Sequence, residues 1–196
     1  MNKLLTELNY ITYSPELIAE ANRPGSMLVL RNVILQRAEA KNQNGRVYPR
    51  EILMREAKRY NEEFVAQRRA LGELDHPESP VVNLKNAACN VLRMEIDGDD
   101  VRGDVQILST PSGNIVRELI KNNIRLGISS RGMGSVRQMA GETVQVEEDY
   151  NLICFDIVSN PSTYGAFINE GVMRSNPLDV LDGLVRDFIN EIRSDV

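Results

Sequence analysis

One histidine and two cysteines are all the imidazole and thiol groups that this chain of 196 residues carries. That shortage excludes most zinc-type metal sites, which take several His, Cys or carboxylate ligands. It leaves His76 as the default general base of any acid–base mechanism, because only imidazole ordinarily titrates near neutrality. No disulfide is expected, since Cys89 and Cys154 each lie in an apolar, strand-like run and read as buried free thiols. Long apolar runs are lacking too: none approaches the roughly 20 residues that span a bilayer. Met1-Asn2-Lys3 opens into a mixed segment without the apolar core of a signal peptide. The protein is therefore expected to start in the cytoplasm with no membrane partner. Positive charge is also short. The net charge is −5, which argues against a nucleic-acid partner. The mildly basic stretch from Arg46 to Arg69 interleaves Glu51, Glu56, Glu62 and Glu63, as a solvated helix face does.

What the chain does contain is 42% apolar residues, ordinary for one globular domain of this length. Residues 1–26, punctuated by Pro15, Pro24 and Gly25, read as an N-terminal arm. Met27 to Gln36 is apolar and β-branched, as in a buried strand. Lys41 to Arg46 is a turn marked by Asn44-Gly45. Pro49 opens a helix with Leu53, Ala57, Tyr60 and Phe64 in one stripe. Ala88–Ile96 and Val101–Leu108 flank Asp97-Gly98-Asp99-Asp100 and predict a hairpin. Thr110-Pro111 caps a helix with Ile115, Leu119 and Ile120 on its apolar face. Ile124 to Met139 predicts a strand, and Thr143 to Val158 one or two more, around a turn at Ala140-Gly141-Glu142. Residues 172–196 predict a C-terminal amphipathic helix, with Leu178, Leu181, Leu184, Val185, Phe188, Ile189 and Ile192 on one face. Residues 27–171 then form the main domain. Strands outnumber helices without βαβ alternation, so an α+β fold with an antiparallel β core and a few packed helices is expected.

Three residue types could carry chemistry. The serine pair Ser129-Ser130 sits between Gly127 and Gly132, and a serine hydroxyl becomes a nucleophile only when a base takes its proton. In a strand, Ser130 continues the face of Ile124, Leu126 and Ile128, while Ser129 shares the other face with Gly127 and Arg131. Both hydroxyls cannot meet His76, and alternation alone does not decide between them. The small neighbours Gly127, Gly132 and Gly134 would let a substrate backbone come close. Asp75 is rejected as the acid orienting His76, because adjacent residues of an extended chain point to opposite sides. Asp156 interrupts Leu152–Val158, a stretch apolar on both faces, where a buried carboxylate needs a partner. It fits an orienting acid and a strand-end cap equally. Arg131 fits an oxyanion stabiliser, through its backbone N–H or its side chain, and also a solvated strand residue or a structural ion pair. Gly132-Met133-Gly134 matches no phosphate-binding spacing.

Four segments, in order, resemble the prohead core protein proteases of myovirus-type tailed bacteriophages. They are Asn42-Gln43-Asn44-Gly45-Arg46-Val47-Tyr48-Pro49, Leu71-Gly72-Glu73-Leu74-Asp75-His76-Pro77, the run from Leu126 to Ser135 around Ser129-Ser130-Arg131-Gly132, and Phe155-Asp156-Ile157-Val158-Ser159-Asn160-Pro161-Ser162. The resemblance spans residues 42–162 and leaves the flanks uncovered, with a short tail after Val172. It implies a fold like the herpesvirus assemblins, a closed antiparallel barrel ringed by helices. It implies a serine endopeptidase with no cofactor and no metal, located in the host cytoplasm inside the phage prohead. His76 would be the base, Ser129 the nucleophile and Asp156 the third member. Arg131 and Gly132 would serve the oxyanion and the substrate. Substrates would be scaffold core and major capsid proteins, cut after glutamate in an Ile/Leu-x-Glu context. Arg131, Arg125 or Arg137 could receive that glutamate. Assembly into a homo-oligomer is compatible with this reading. Such enzymes finally cut themselves, and the chain carries Leu5-Thr6-Glu7, Ile18-Ala19-Glu20, Ile168-Asn169-Glu170 and Ile189-Asn190-Glu191. Glu20 and Glu170 are the preferred candidates, as flexible ends can enter an active site. The rival readings are an idle structural component of the prohead core and a hydrolase using Cys89.

Overall fold

In the computed structural model, residues 3–159 are described, apart from residues 43, 140 and 142. The predicted C-terminal helix, Glu170 and the end of the expected main domain lie outside them. The described chain is α+β, with ten strands in three sheets and three α-helices.

The first sheet sets β7 (Gly127–Gly134) between β1 (Lys3–Tyr10) and β10 (Asn151–Val158), antiparallel to both. The second runs β2 (Leu28–Arg37), β6 (Asp100–Ile107), β5 (Ala87–Asp97) and β4 (Leu71–Glu73), all antiparallel. A third, small sheet holds β3 (Arg46–Val47), β9 (Val144–Val146) and β8 (Val136–Gln138). The first two sheets meet at one parallel bridge, Leu74 to Ile157. The expected closed barrel is not found among the described residues. One bridge is not a ladder, and β4 has only three residues with which to extend it.

The segment expected as an arm is not loose. Lys3–Tyr10 is an outer strand of the first sheet, and Pro15–Ala21 forms the short helix α1, capped by the Ser14 hydroxyl accepting from the Leu17 N–H. Leu5 of this strand is buried, and the adjacent pair Leu4-Leu5 breaks the strict alternation that would mark a strand in the sequence. The Arg117 guanidinium donates to the Ala21 and Ser26 carbonyls and so ties α1 to α3 (Pro111–Lys121).

Elsewhere the expected elements form, with local differences. The hairpin closes on Gly98, whose φ of +60° suits glycine, with Asp97 opposite Asp100. Helix α2 (Arg50–Tyr60) begins one residue after the expected Pro49 and continues as a wider, π-helical turn over Asn61–Val65. Its stripe of Leu53, Ala57 and Tyr60 is buried, and Tyr60 meets Phe155 of β10 edge to face at 5.5 Å. In α3 the buried face is Val116 and Ile120, whereas Ile115 is exposed. The single strand expected over Ile124–Met139 starts late and breaks at Ser135, whose N–H and hydroxyl both donate to Asp149.

Asp100 offers a test of the hairpin end. Its carboxylate takes Arg37 in a two-pronged pair, with Nη2 at 2.9 Å, and Arg102 at 3.2 Å. Burial works against its charge, but Arg37 and Arg102 more than offset this and hold the carboxyl below its ordinary 3.8. A lowered folded-state value stabilises the fold above about pH 3.8, and the gain is lost as pH falls through the folded value. Asp100→Asn should therefore lower the unfolding temperature at pH 7 by a few degrees. The gap from the parent should narrow as pH is lowered from 7 through the folded value. A gap that stays constant across thermal melts at these pH values would remove this role.

Candidate active site

The site is assembled by register. Across β7 and β10, Asp156 lies opposite Ser129 and Cys154 opposite Arg131. Directly opposed residues in a sheet share a face, so Ser129, Arg131, Cys154 and Asp156 project the same way. This register depends on a β-bulge. Leu152 pairs with Gly132 but Cys154 pairs with Arg131, so Ile153 is the extra residue. Without the bulge, Asp156 would stand opposite Ile128 and face away from Ser129. Helix α2 supplies the backbone partners that the bulge needs. The buried Glu56 carboxylate accepts from the Leu152 N–H at 3.0 Å, and Arg59 donates to the Leu152 carbonyl at 2.6 Å.

His76 comes from the loop after β4. Asp75 adopts φ +64°, a left-handed conformation that ends the strand, and its N–H donates to the Ile157 carbonyl at 2.8 Å. The loop is thus fastened to β10 one residue before the histidine. Asp75 is exposed and is not bonded to the ring. The His76 Nδ1 lies 2.8 Å from Asp156 Oδ2, and its Nε2 is hydrogen-bonded to Ser129 Oγ. A carboxylate can only accept, so Nδ1 carries the proton and Nε2 is left to accept from the serine hydroxyl. The Asp156 side chain is fully buried, while that of His76 is 22% exposed. The ring therefore bridges a dry acid and the protein surface.

Ser130 behaves differently. Its side chain is buried on the opposite face, and its hydroxyl has no hydrogen-bond partner. The residue reading left the two serines open, and the fold brings Ser129 to His76.

Two expectations from the sequence do not fit. The Arg131 side chain is fully buried, with Nη2 at 2.8 Å from Glu73 Oε1 and Nε at 3.0 Å from Asp156 Oδ2. The side chain is engaged in these pairs and does not reach an incoming oxyanion or a substrate glutamate, which leaves the Arg131 backbone N–H as the other route to an oxyanion. Gly132 leaves room for Tyr150, not for a substrate: an added Cβ would fall 2.5 Å from the Tyr150 ring and 2.8 Å from the Asn151 carbonyl oxygen. The other two arginines considered for the substrate glutamate, Arg125 and Arg137, are exposed. Arg125 precedes β7, and Arg137 lines a surface cavity with Glu39, Glu51, Glu147, Glu148 and Asp149.

Neither thiol is placed to react. Burial raises the Cys89 thiol far above its ordinary value, and its sulfur lies 3.5 Å from the Phe155 carbonyl oxygen. Burial, and then the Asp156 charge, likewise raise Cys154, which packs 3.2 Å from Arg131 Nε. A Cys89 hydrolase is therefore discarded. No group of three or more His, Cys, Asp or Glu among the described residues could hold a metal ion. No described helix is long and apolar enough to cross a membrane.

The geometry agrees with what the chain resembles. A family model described as the prohead core protein serine protease matches residues 20–177. The chain belongs to the prohead core protein serine protease family. It is 34% identical over 151 residues to the prohead core protein protease of Enterobacteria phage T4, covering 74% of this chain and 69% of that protein. The solved structure of the bacteriophage T4 capsid assembly protease is also similar, with a TM-score of 0.69 at 26% identity, covering 81% of this chain and 99% of that one. All the residues of the His76–Ser129–Asp156 line fall inside the span matched by the family model.

The residue that sequence reasoning missed is Glu73. It is fully buried and ends the three-residue strand β4. The strand fits because Gly72 has no side chain: a Cβ there would fall 1.7 Å from the Phe155 carbonyl oxygen. The available signal was an acid two residues from Leu71 and one from Leu74, next to a glycine, in a stretch too short to show a period. Removing one partner of a buried ion pair such as Glu73–Arg131 typically costs about 3–5 kcal/mol.

Proposed function

We propose that this chain is a serine endopeptidase of the phage prohead. Ser129 is the nucleophile, His76 the general base and Asp156 the acid that orients the ring. The observation that carries the reading is the unbroken hydrogen-bonded line from Asp156 through His76 to Ser129. His76 takes the Ser129 proton as the hydroxyl attacks the scissile carbonyl, then returns it to the leaving amine as the acyl-enzyme forms. Water, activated by the same ring, releases the acyl group. Asp156, dry and buried, keeps the proton on Nδ1 and balances the imidazolium as it forms.

The substrates are scaffold core and capsid proteins, and the cut follows glutamate in Ile/Leu-x-Glu sequences. Family membership supports the first, and the resemblance set out above supports the second. The protein also cuts itself, leaving new termini at Ala21 and Gly171. The bond after Glu20 is not free to enter a site as the chain stands. It lies in the last turn of α1, its carbonyl accepts from Ser26 Oγ at 2.6 Å, and Ala21 is buried. Cutting there requires that turn to open first.

Mass spectrometry of purified protein tests this reading. Wild type should yield fragments beginning at Ala21 or Gly171, and the Ser129→Ala protein in a parallel preparation should stay full length. Fragments that begin elsewhere, or that appear equally in the serine variant, would contradict it. A wild type that cuts neither itself nor scaffold protein would favour the idle structural component.

A further inference from the structure

Two carboxylates and one guanidinium are buried beneath the His76–Ser129 pair, and the mechanism above uses only one of them. We propose that Glu73 and Arg131 are positioning residues, which together fix the Asp156 carboxylate and the loop that carries His76. The proposal rests on the serine-protease reading of the same site.

The contacts link all three side chains through one oxygen of Glu73, Oε1, while its buried Oε2 has no partner. The Glu73 backbone N–H donates to Asp156 Oδ1 at 2.8 Å. Arg131 lies between the acids, donating to Glu73 Oε1 at 2.8 Å and to Asp156 Oδ1 at 3.3 Å, with Nε 3.0 Å from Asp156 Oδ2. All three side chains have zero exposure. The same groups also hold the loop. Arg131 Nη1 donates to the Ser79 carbonyl at 2.6 Å, three residues past His76. Glu73 Oε1 accepts from the Asn83 N–H at 3.0 Å, where the loop returns. The segment from Glu73 to Asn83 is therefore tied near its start, middle and end to one buried ion pair. Asp156 Oδ2 keeps its orientation toward His76 because Oδ1 already accepts from the Glu73 N–H, Arg131 Nη2 and the Cys154 thiol.

The charges matter as much as the bonds. Two carboxylates buried side by side cannot both stay ionised without a cation. Arg131 supplies one positive charge against two negative ones, which leaves one negative charge for the imidazolium that forms during reaction. Cys154, packed against both Arg131 and Asp156, stays a neutral thiol and does not upset this balance.

Glu73→Gln keeps the shape and removes the charge. In that variant, phosphonylation of Ser129 by a fluorophosphonate should slow roughly ten- to hundredfold, the range expected when reacting groups are slightly misplaced. KM for a glutamyl peptide should change little while kcat falls. His76 is the only histidine, so histidine-labelled protein gives one unambiguous imidazole signal. On the neutral ring in an uncleaved Ser129→Ala background, nitrogen NMR should report a single Nδ1–H tautomer. Adding Glu73→Gln should mix the tautomers. A labelling rate within twofold of the parent, or slower labelling with the tautomer unchanged, would overturn the proposal. Should Glu73→Gln fail to fold, Asn83→Pro removes one backbone donor from an exposed position and must still slow labelling; normal labelling there overturns the proposal too. Absence of labelling in the parent would instead count against the serine-protease reading, and the NMR comparison would still decide the positioning role.

Discussion

Ser129→Ala should lose about a million-fold in turnover, the scale seen when a serine nucleophile is removed. Ser130→Ala should keep measurable activity. The contrast follows from the two faces of β7. The Ser129 hydroxyl is hydrogen-bonded to His76, whereas the Ser130 hydroxyl is buried without a partner. Deleting an unpartnered buried hydroxyl removes no hydrogen bond. Both variants keep the small side chain that this crowded strand requires, so both should fold, and their thermal unfolding should lie close to that of the parent. Cleavage of a glutamyl peptide, followed by chromatography over hours, separates the two. A dead Ser130→Ala beside an active Ser129→Ala would reverse the assignment.

Asp156→Asn should cost roughly ten-thousand-fold, as in other triads where the acid is made an amide. The amide can still accept the Glu73 N–H through its oxygen. It would then turn an N–H group toward His76 Nδ1, which forces the ring into the other tautomer. Nε2 would carry the proton and could no longer take one from Ser129. Arg131 would keep Glu73 as a counter-ion, so the sheet should survive. Near-normal turnover, or an unfolded protein, would return Asp156 to a structural role. Circular dichroism and a melt beside the kinetics distinguish these outcomes.

Much of the second sheet was legible because its strands are long and bounded by turn signals. Gly98 closes the β5–β6 hairpin where the sequence placed a turn, and the Thr110 hydroxyl caps α3 as expected, accepting from the Gly113 N–H at 3.1 Å. The proposed site was legible in its candidate members, His76, Ser129 and Asp156, which the fold brings together, and not in its geometry. Which serine shares a face with Asp156 depends on a one-residue bulge at Ile153, and a bulge leaves no mark in the apolar pattern of Leu152–Val158. The bulge depends in turn on Glu56 and Arg59, which read from the sequence as part of a solvated helix face. Arg131 stayed open between an oxyanion role and an ion pair for a related reason. Its counter-ion, Glu73, lies on a strand of three residues, below the length at which alternation can be seen. The N-terminal strand β1 was hidden because the adjacent Leu4 and Leu5 break a strict alternation. The closed barrel was an expectation from resemblance, and the described sheets meet instead at a single bridge.

The most direct test of the catalytic line is chemical. Wild-type protein is treated with a fluorophosphonate, digested with trypsin and mapped by tandem mass spectrometry. Cleavage after Arg125 and Arg131 releases the hexapeptide from Leu126 to Arg131, which holds both serines. A single adduct on Ser129, absent from the Asp156→Asn and His76→Ala proteins, is the predicted result. An adduct on Ser130, or labelling of Ser129 that persists without His76, would contradict it.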